Sequence, residues 1–199
     1  MQITPTPLSG LLVLQPRRFG DARGWFSEVW NRATLAAHGI TLDFVQDNHS
    51  FSAAPGTLRG LHYQAPPRAQ AKLVRVGAGV VWDVAVDMRP DSPTCGQSFG
   101  IELSAANGLQ LLIPVGFLHG FVTRSADAEL LYKCTDSYSA AHDGSVRWDD
   151  PDLAIDWGLT GGLTGGLTGG LTGVAPILSD KDRAAPLLRD WHNPFTTPG

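Results

Sequence analysis

The chain is short of several things, and each shortage excludes a class of protein. Only two cysteines, Cys95 and Cys134, occur in 199 residues. They are too few and too far apart for a disulfide framework or a close-spaced metal pair, and both are expected as small buried hydrophobes. No apolar run approaches the length of a membrane span, and Met1-Gln2-Ile3-Thr4-Pro5 lacks the basic start and apolar stretch of a secretory signal. The expectation is a cytoplasmic protein with no membrane partner. Positive charge is also scarce: 15 Lys and Arg stand against 19 Asp and Glu, for a formal net charge of −4. That balance argues against nucleic acid as a partner, but leaves room for a local basic site that holds one anionic ligand. Lysine is the rarest cation, present only as Lys72, Lys133 and Lys181.

What remains is an ordinary globule with a core: 43% of residues are hydrophobic and 17% charged, enough for one domain over 1–199. Short apolar or alternating runs at 11–14, 25–30, 44–51, 72–76, 79–88, 97–103, 109–113, 120–123 and 129–135 read as strands. Gly77-Ala78-Gly79 suits a tight hairpin turn, residues 17–24 read as a polar turn region, and Asn31 reads as the cap of a short helix over 32–38 that Gly39 ends. Many short strands with turns at nearly even spacing indicate an all-β sandwich or barrel with a few short helices. Residues 158–173 are four successive copies of Gly-Leu-Thr-Gly. Such a composition predicts a flexible surface insertion, after which the tail, 177–199, resumes with Ser179 capping a short helix.

One stretch concentrates chemistry: Arg59-Gly60-Leu61-His62-Tyr63-Gln64. Period-2 alternation sends Leu61 and Tyr63 to one strand face and Gly60, His62 and Gln64 to the other. A histidine there is either packed or a general base. The polar run Gln46-Asp47-Asn48-His49 is either an edge strand or the wall of a site. Pro114-Val115-Gly116-Phe117-Leu118-His119 has the form P-x-G-x-x-H, in which Pro and Gly turn a corner and the histidine emerges from it. This resembles the second signature of the cupin double-stranded β-helix, a jelly-roll barrel. The first cupin signature offers a pair of histidines to a metal, whereas here only His62 stands at that place. A separated pair of imidazoles makes a poor first-row metal site, so no metal or other cofactor is expected. By residue type alone, His119 reads equally as a packed corner residue, Tyr132 as a sheet aromatic and Asp182 as a solvated helix-start charge.

Ten segments in register are similar to the dTDP-4-dehydrorhamnose 3,5-epimerases. They include Asp21-Ala22-Arg23-Gly24, Phe26-Ser27-Glu28, Val45-Gln46-Asp47-Asn48, the His62 stretch, Ala71-Lys72-Leu73-Val74, Leu131-Tyr132-Lys133-Cys134-Thr135 and Leu178-Ser179-Asp180-Lys181-Asp182. The resemblance implies an isomerase acting on a dTDP-4-keto-6-deoxyhexose. It implies His62 as base, Asp182 as its orienting carboxylate, Tyr132 as proton donor and Lys72 as the cation near the substrate oxygens. It implies substrate contacts from Arg23, Glu28, Gln46, Asp47, Asn48, Arg59, His119, Tyr138, Asp143 and Lys181. It also implies a homodimer that exchanges the N-terminal segment carrying Arg23 and Glu28. The chain departs from the family pattern at Asp143, where glutamate is usual, at Ser137, where a tyrosine is common, and in the Gly-Leu-Thr-Gly array. Open alternatives are a mono-epimerase or ketoisomerase on a related sugar, a metal-dependent cupin, and a binding module without turnover.

Overall fold

The computed structural model describes residues 1–158 and 175–195. In chain order come β1 (Gln2–Pro5), β2 (Leu12–Gln15), β3 (Arg18–Asp21), β4 (Gly24–Ser27) and α1 (Arg32–Ala36). β5 (Gln46–Ser52), β6 (Leu58–Gln64), β7 (Lys72–Ala78), β8 (Val80–Asp87) and β9 (Ser98–Ser104) follow. β10 (Gln110–Ile113), β11 (Phe117–Thr123), β12 (Ala128–Cys134), β13 (Asp143–Ser145) and α2 (Asp180–Arg183) come next, and a 3-10 turn at Leu188–Asp190 ends the series. One sheet has the order β1-β2-β10-β7-β12-β5 and the other β13-β6-β11-β8-β9, while β3 and β4 form a separate ribbon. The two sheets face each other as the jelly-roll barrel expected of a cupin.

Strand alternation decides what each sheet buries. Val74 and Val76 of β7, Val81 and Ala85 of β8, and Leu130 of β12 meet between the sheets. The other face of β8 and β6, with Val84, Val86, Leu58 and Leu61, is covered by Trp157 and by the tail residues Leu178, Leu188, Trp191 and Phe195. Both faces of this sheet therefore carry apolar residues. α1 and its flanks cover the outside of the other sheet through Leu35, Trp30 and Phe44 against Leu73 and Leu112.

Several expectations from the sequence need correction. Residues 77–79 do not close a hairpin. β7 and β8 belong to different sheets, and the chain crosses between them at Gly79 (φ +74°), where a Cβ would lie 2.4 Å from Ser125 Oγ. The polar stretch 17–24 does hold a turn, at Ala22-Arg23 between Asp21 and Gly24, but it also holds β3 and the start of β4, whose charged residues lie along an exposed ribbon. β1 and β13 are short and carry no alternation long enough to notice. α1 ends at Ala36; Asn31 Oδ1 does cap it, accepting from Ala33 N at 2.9 Å and Thr34 N at 3.2 Å. Cys134 is buried but Cys95 is exposed, in the loop before β9. Apart from Gly158, the Gly-Leu-Thr-Gly array lies outside the described residues.

Candidate active site

Two cavities adjoin in the mouth of the barrel. One, of about 420 Å³, is lined by Ser50, Arg59, His62, Lys72, His119, Tyr132 and Asp182 among others. The second, of about 440 Å³, is lined by Gln46, Asn48, His62, Lys72, Tyr132, Tyr138, Asp143 and Lys181 among others. His62, Lys72 and Tyr132 line both, so the cavities form one cleft.

The two sheets contribute different chemistry to it. The five-stranded sheet supplies His62 and Arg59 from β6 and His119 from β11. Strict alternation would put Arg59 with Leu61, on the face away from His62. The β6–β11 register shifts between His62↔His119 and Arg59↔Phe121, so two residues of β6, Gly60 and Leu61, lie opposite Gly120. That bulge returns Arg59 to the cleft side. It requires glycine: Gly60 has φ +133°, and a Cβ there would lie 2.6 Å from Gly120 Cα. The six-stranded sheet supplies Lys72 from β7, Tyr132 from β12, and Gln46 and Asn48 from β5. β12 runs between β5 and β7, with Tyr132 opposite Asn48 on one side and Val74 on the other.

His62 and Asp182, 120 positions apart in sequence, are joined at 2.5 Å through Nε2 and Oδ1. Ser179 caps α2 and its hydroxyl donates to Asp182 Oδ2 at 2.7 Å, so both carboxylate oxygens are held. Asp182 is only 3% exposed. Burial pushes its pKa up, but the hydrogen bonds from His62 and Ser179 outweigh this and keep the carboxyl below its usual value. A carboxylate only accepts, so Nε2 carries the imidazole proton and Nδ1 is left as the basic nitrogen.

Burial lowers the Lys72 pKa, with Cys134, Asp83 and Asp143 pulling the other way. Among the described residues the Lys72 ammonium has no hydrogen-bond or ion-pair partner, and it lies 6.0 Å from the centre of the Tyr132 ring. Burial raises the Tyr132 pKa, so the phenol keeps its proton at neutral pH. A base, an acid and a cation thus meet in one cleft from three different strands. This set can take a carbon-bound proton, hold the resulting oxyanion and return a proton.

At the outer end, Gln46 Oε1 accepts from Tyr138 N at 2.7 Å and Gln46 Nε2 donates to Asn48 Oδ1 at 3.0 Å. Tyr138 is exposed, and its hydroxyl lies 3.4 Å from Asp143 Oδ2, which also pairs with Lys181. An aromatic face beside a lysine and a row of polar amides fits a nucleotide.

The comparisons fit this cleft. The dTDP-4-dehydrorhamnose 3,5-epimerase family model matches residues 5–190. The chain belongs to that family. It is 47% identical over 189 residues to the dTDP-4-dehydrorhamnose 3,5-epimerase of Salmonella typhimurium, covering 94% of this chain and 96% of that one. The crystal structure of the Bacillus anthracis epimerase with TDP and pyrophosphate bound superposes with a TM-score of 0.85 at 47% identity, covering 94% of this chain and 99% of that one. The Legionella pneumophila enzyme in complex with dTDP-4-keto-L-rhamnose gives 0.84 at 45% identity, covering 95% and 93%.

Within one chain the structure does not bring every residue implied by the family into the cleft. Asp47 points to the other face of β5, because it alternates with Gln46 and Asn48. It pairs with Lys133 at 2.6 Å and lines an adjoining cavity of about 190 Å³ with Trp30, His49 and Arg75. Arg23 pairs with Asp21 at the ribbon tip, and Glu28 accepts from Asn31 and Thr34; neither lines the cleft. Sequence reasoning also passed over Asp83. Its signal was there: alternation puts this carboxylate between Val81 and Ala85 on a core-facing side of β8, where a charge needs a partner. Among the described residues no group of three or more His, Cys, Asp or Glu side chains is arranged to hold a metal.

Proposed function

We propose that the protein converts dTDP-4-dehydro-6-deoxy-D-glucose into dTDP-4-dehydro-L-rhamnose by inverting C3 and C5. The observation that carries this is the His62–Asp182 pair in one cleft with Tyr132 and Lys72. Both carbons lie next to the C4 ketone, so their protons are acidified by it. His62 Nδ1 takes the proton, the C–H electron pair moves onto the ketone oxygen, and the enolate so formed is met by the Lys72 ammonium. Asp182 stabilises the imidazolium, the role of an aspartate in a catalytic triad. The Tyr132 hydroxyl then gives its proton to the carbon from the opposite face; the tyrosinate is reprotonated from solvent and the His62 imidazolium releases its proton to solvent, which restores both groups for the second carbon. Arg59 and Lys181 supply donors suited to the diphosphate, and Tyr138 offers its ring to the base.

A homodimer with exchanged N-terminal segments accompanies this reading. Trp25 and Phe26 of the ribbon are 59% and 69% exposed, more than a lone chain leaves in water without reason. The same ribbon carries Arg23 and Glu28, which a partner's cleft would receive. Sedimentation equilibrium should give twice the chain mass; a monomer at assay concentration that retains full activity would contradict the exchange.

The deciding experiment is incubation with dTDP-4-keto-6-deoxyglucose in heavy water, followed by NMR. Deuterium at both C3 and C5 of an L-configured product supports the proposal. Label at one carbon alone would make the protein a mono-epimerase, and a changed carbonyl position would make it a ketoisomerase.

A further inference from the structure

Beside His62 lies a second histidine–carboxylate pair. His119 on β11 is in register with His62 on β6, and its Nε2 lies 3.1 and 3.0 Å from the two Asp83 carboxylate oxygens. Asp83 is 0% exposed, and His119 is the only partner of its side chain among the described residues. A carboxylate enclosed between two apolar sheets is costly unless paired. Alanine or valine, as at Val81 and Ala85 on either side, would fill an inward position without that cost. The pair therefore does more than pack.

We propose that Asp83 is a positioning residue that holds His119 in the Nε2–H tautomer, so that His119 Nδ1 accepts a hydrogen bond from a hydroxyl of the bound sugar. This rests on reading the cleft as an epimerase site. Burial lowers the His119 pKa against the pull of Asp83, with Lys72 and His62 as the other charged or titratable groups acting on it. The ring is thus neutral near pH 7 and carries one N–H. Asp83 can only accept, so that proton sits on Nε2. Nδ1 keeps its lone pair and has no protein partner among the described residues. His119 lines the cleft together with Arg59, Lys72 and Tyr132, which meet a sugar chiefly as donors. Both oxygens of Asp182 are already engaged by His62 and Ser179. A hexose hydroxyl also needs somewhere to donate, and Nδ1 of His119 is a fixed, neutral acceptor beside the base.

The test is nitrogen NMR of the histidine-labelled protein with two stable probes, dTDP-glucose and dTDP, together with kinetics of Asp83→Asn. In the parent, His119 should show a protonated Nε2 and an unprotonated Nδ1, and dTDP-glucose but not dTDP should shift the Nδ1 signal. An asparagine amide donates to Nε2 as readily as it accepts. Asp83→Asn should therefore move part of the proton to Nδ1 and lower kcat/KM roughly 10–100-fold. A parent with its proton on Nδ1, identical Nδ1 shifts with both probes, or a folded Asp83→Asn variant with kcat/KM within about twofold of the parent would each overturn the proposal. Should that variant not fold, the parent spectra decide alone. A parent that gives the predicted spectra but does not turn over the keto sugar would instead count against the epimerase reading.

Discussion

Single side chains in this protein are defined by what their neighbours do to their protons. Asp182 and Asp83 are buried carboxylates, each hydrogen-bonded to one imidazole of the cleft. Asp87 is a purely structural counterpart. Its side chain is 0% exposed, and burial alone would raise its pKa. Hydrogen bonds from Arg89, Ser92 and Thr94 outweigh this and bring it to about 2. Since the unfolded carboxyl titrates at 3.8, the unfolded chain binds more protons between the two values. The stabilisation is therefore fully present above pH 4–5 or so and is lost as the pH falls through about 2, amounting to about 2 kcal/mol. Denaturation of the parent and of Asp87→Asn as a function of pH should show a gap that narrows across this window; a gap constant down to pH 2 would contradict the assignment. At this scale the sequence was informative wherever chemistry was unusual for its place, as with a histidine in a strand or a lysine among few. It did not reveal that Asp83 would meet His119, because that pairing depends on β8 and β11 lying side by side.

Elements turn these residues toward one another. Alternation along β5, β7 and β12 correctly separates cleft from outer face, which is why Asp47 turns away while Gln46 and Asn48 line the site. The same rule fails on β6, where the bulge at Gly60 and Leu61 resets it. No local pattern announces a bulge except the glycine itself. Gly60→Ala tests its importance, since the added Cβ meets Gly120 backbone and the φ is one that L side chains rarely adopt. The substitution should destabilise the fold by about 2–3 kcal/mol. It should also lower kcat more than partial unfolding accounts for, because Arg59 and His62 flank the bulge. A variant with parental denaturation midpoint and kcat would show that the close approach is dispensable. The tail was easier to read: Ser179 as a cap and a short helix after it are both present, the helix spanning Asp180–Arg183. The assumed hairpin at 77–79 was not, because a glycine-rich turn between two good strands looks the same whether it closes a hairpin or changes sheets.

The whole molecule brings together an imidazole on one sheet, a phenol and an ammonium on the other, and a buried carboxylate on a tail that crosses the outside of the barrel. The barrel architecture followed from evenly spaced strands and one corner motif. Sheet order, and therefore which strands face each other across the cleft, is a property of long-range pairing that no short window contains. The exposure of Trp25 and Phe26 on the ribbon is likewise visible only in the folded chain. The central claim is that His62 removes the carbon-bound proton and Tyr132 replaces it from the other side. Deuterium wash-in at C3 and C5 and epimerised product, followed together for the parent, His62→Ala and Tyr132→Phe, test it most directly. His62→Ala should lose wash-in and product alike, while Tyr132→Phe should keep wash-in well ahead of product. Full wash-in with His62→Ala, or parental product formation with Tyr132→Phe, would contradict the account.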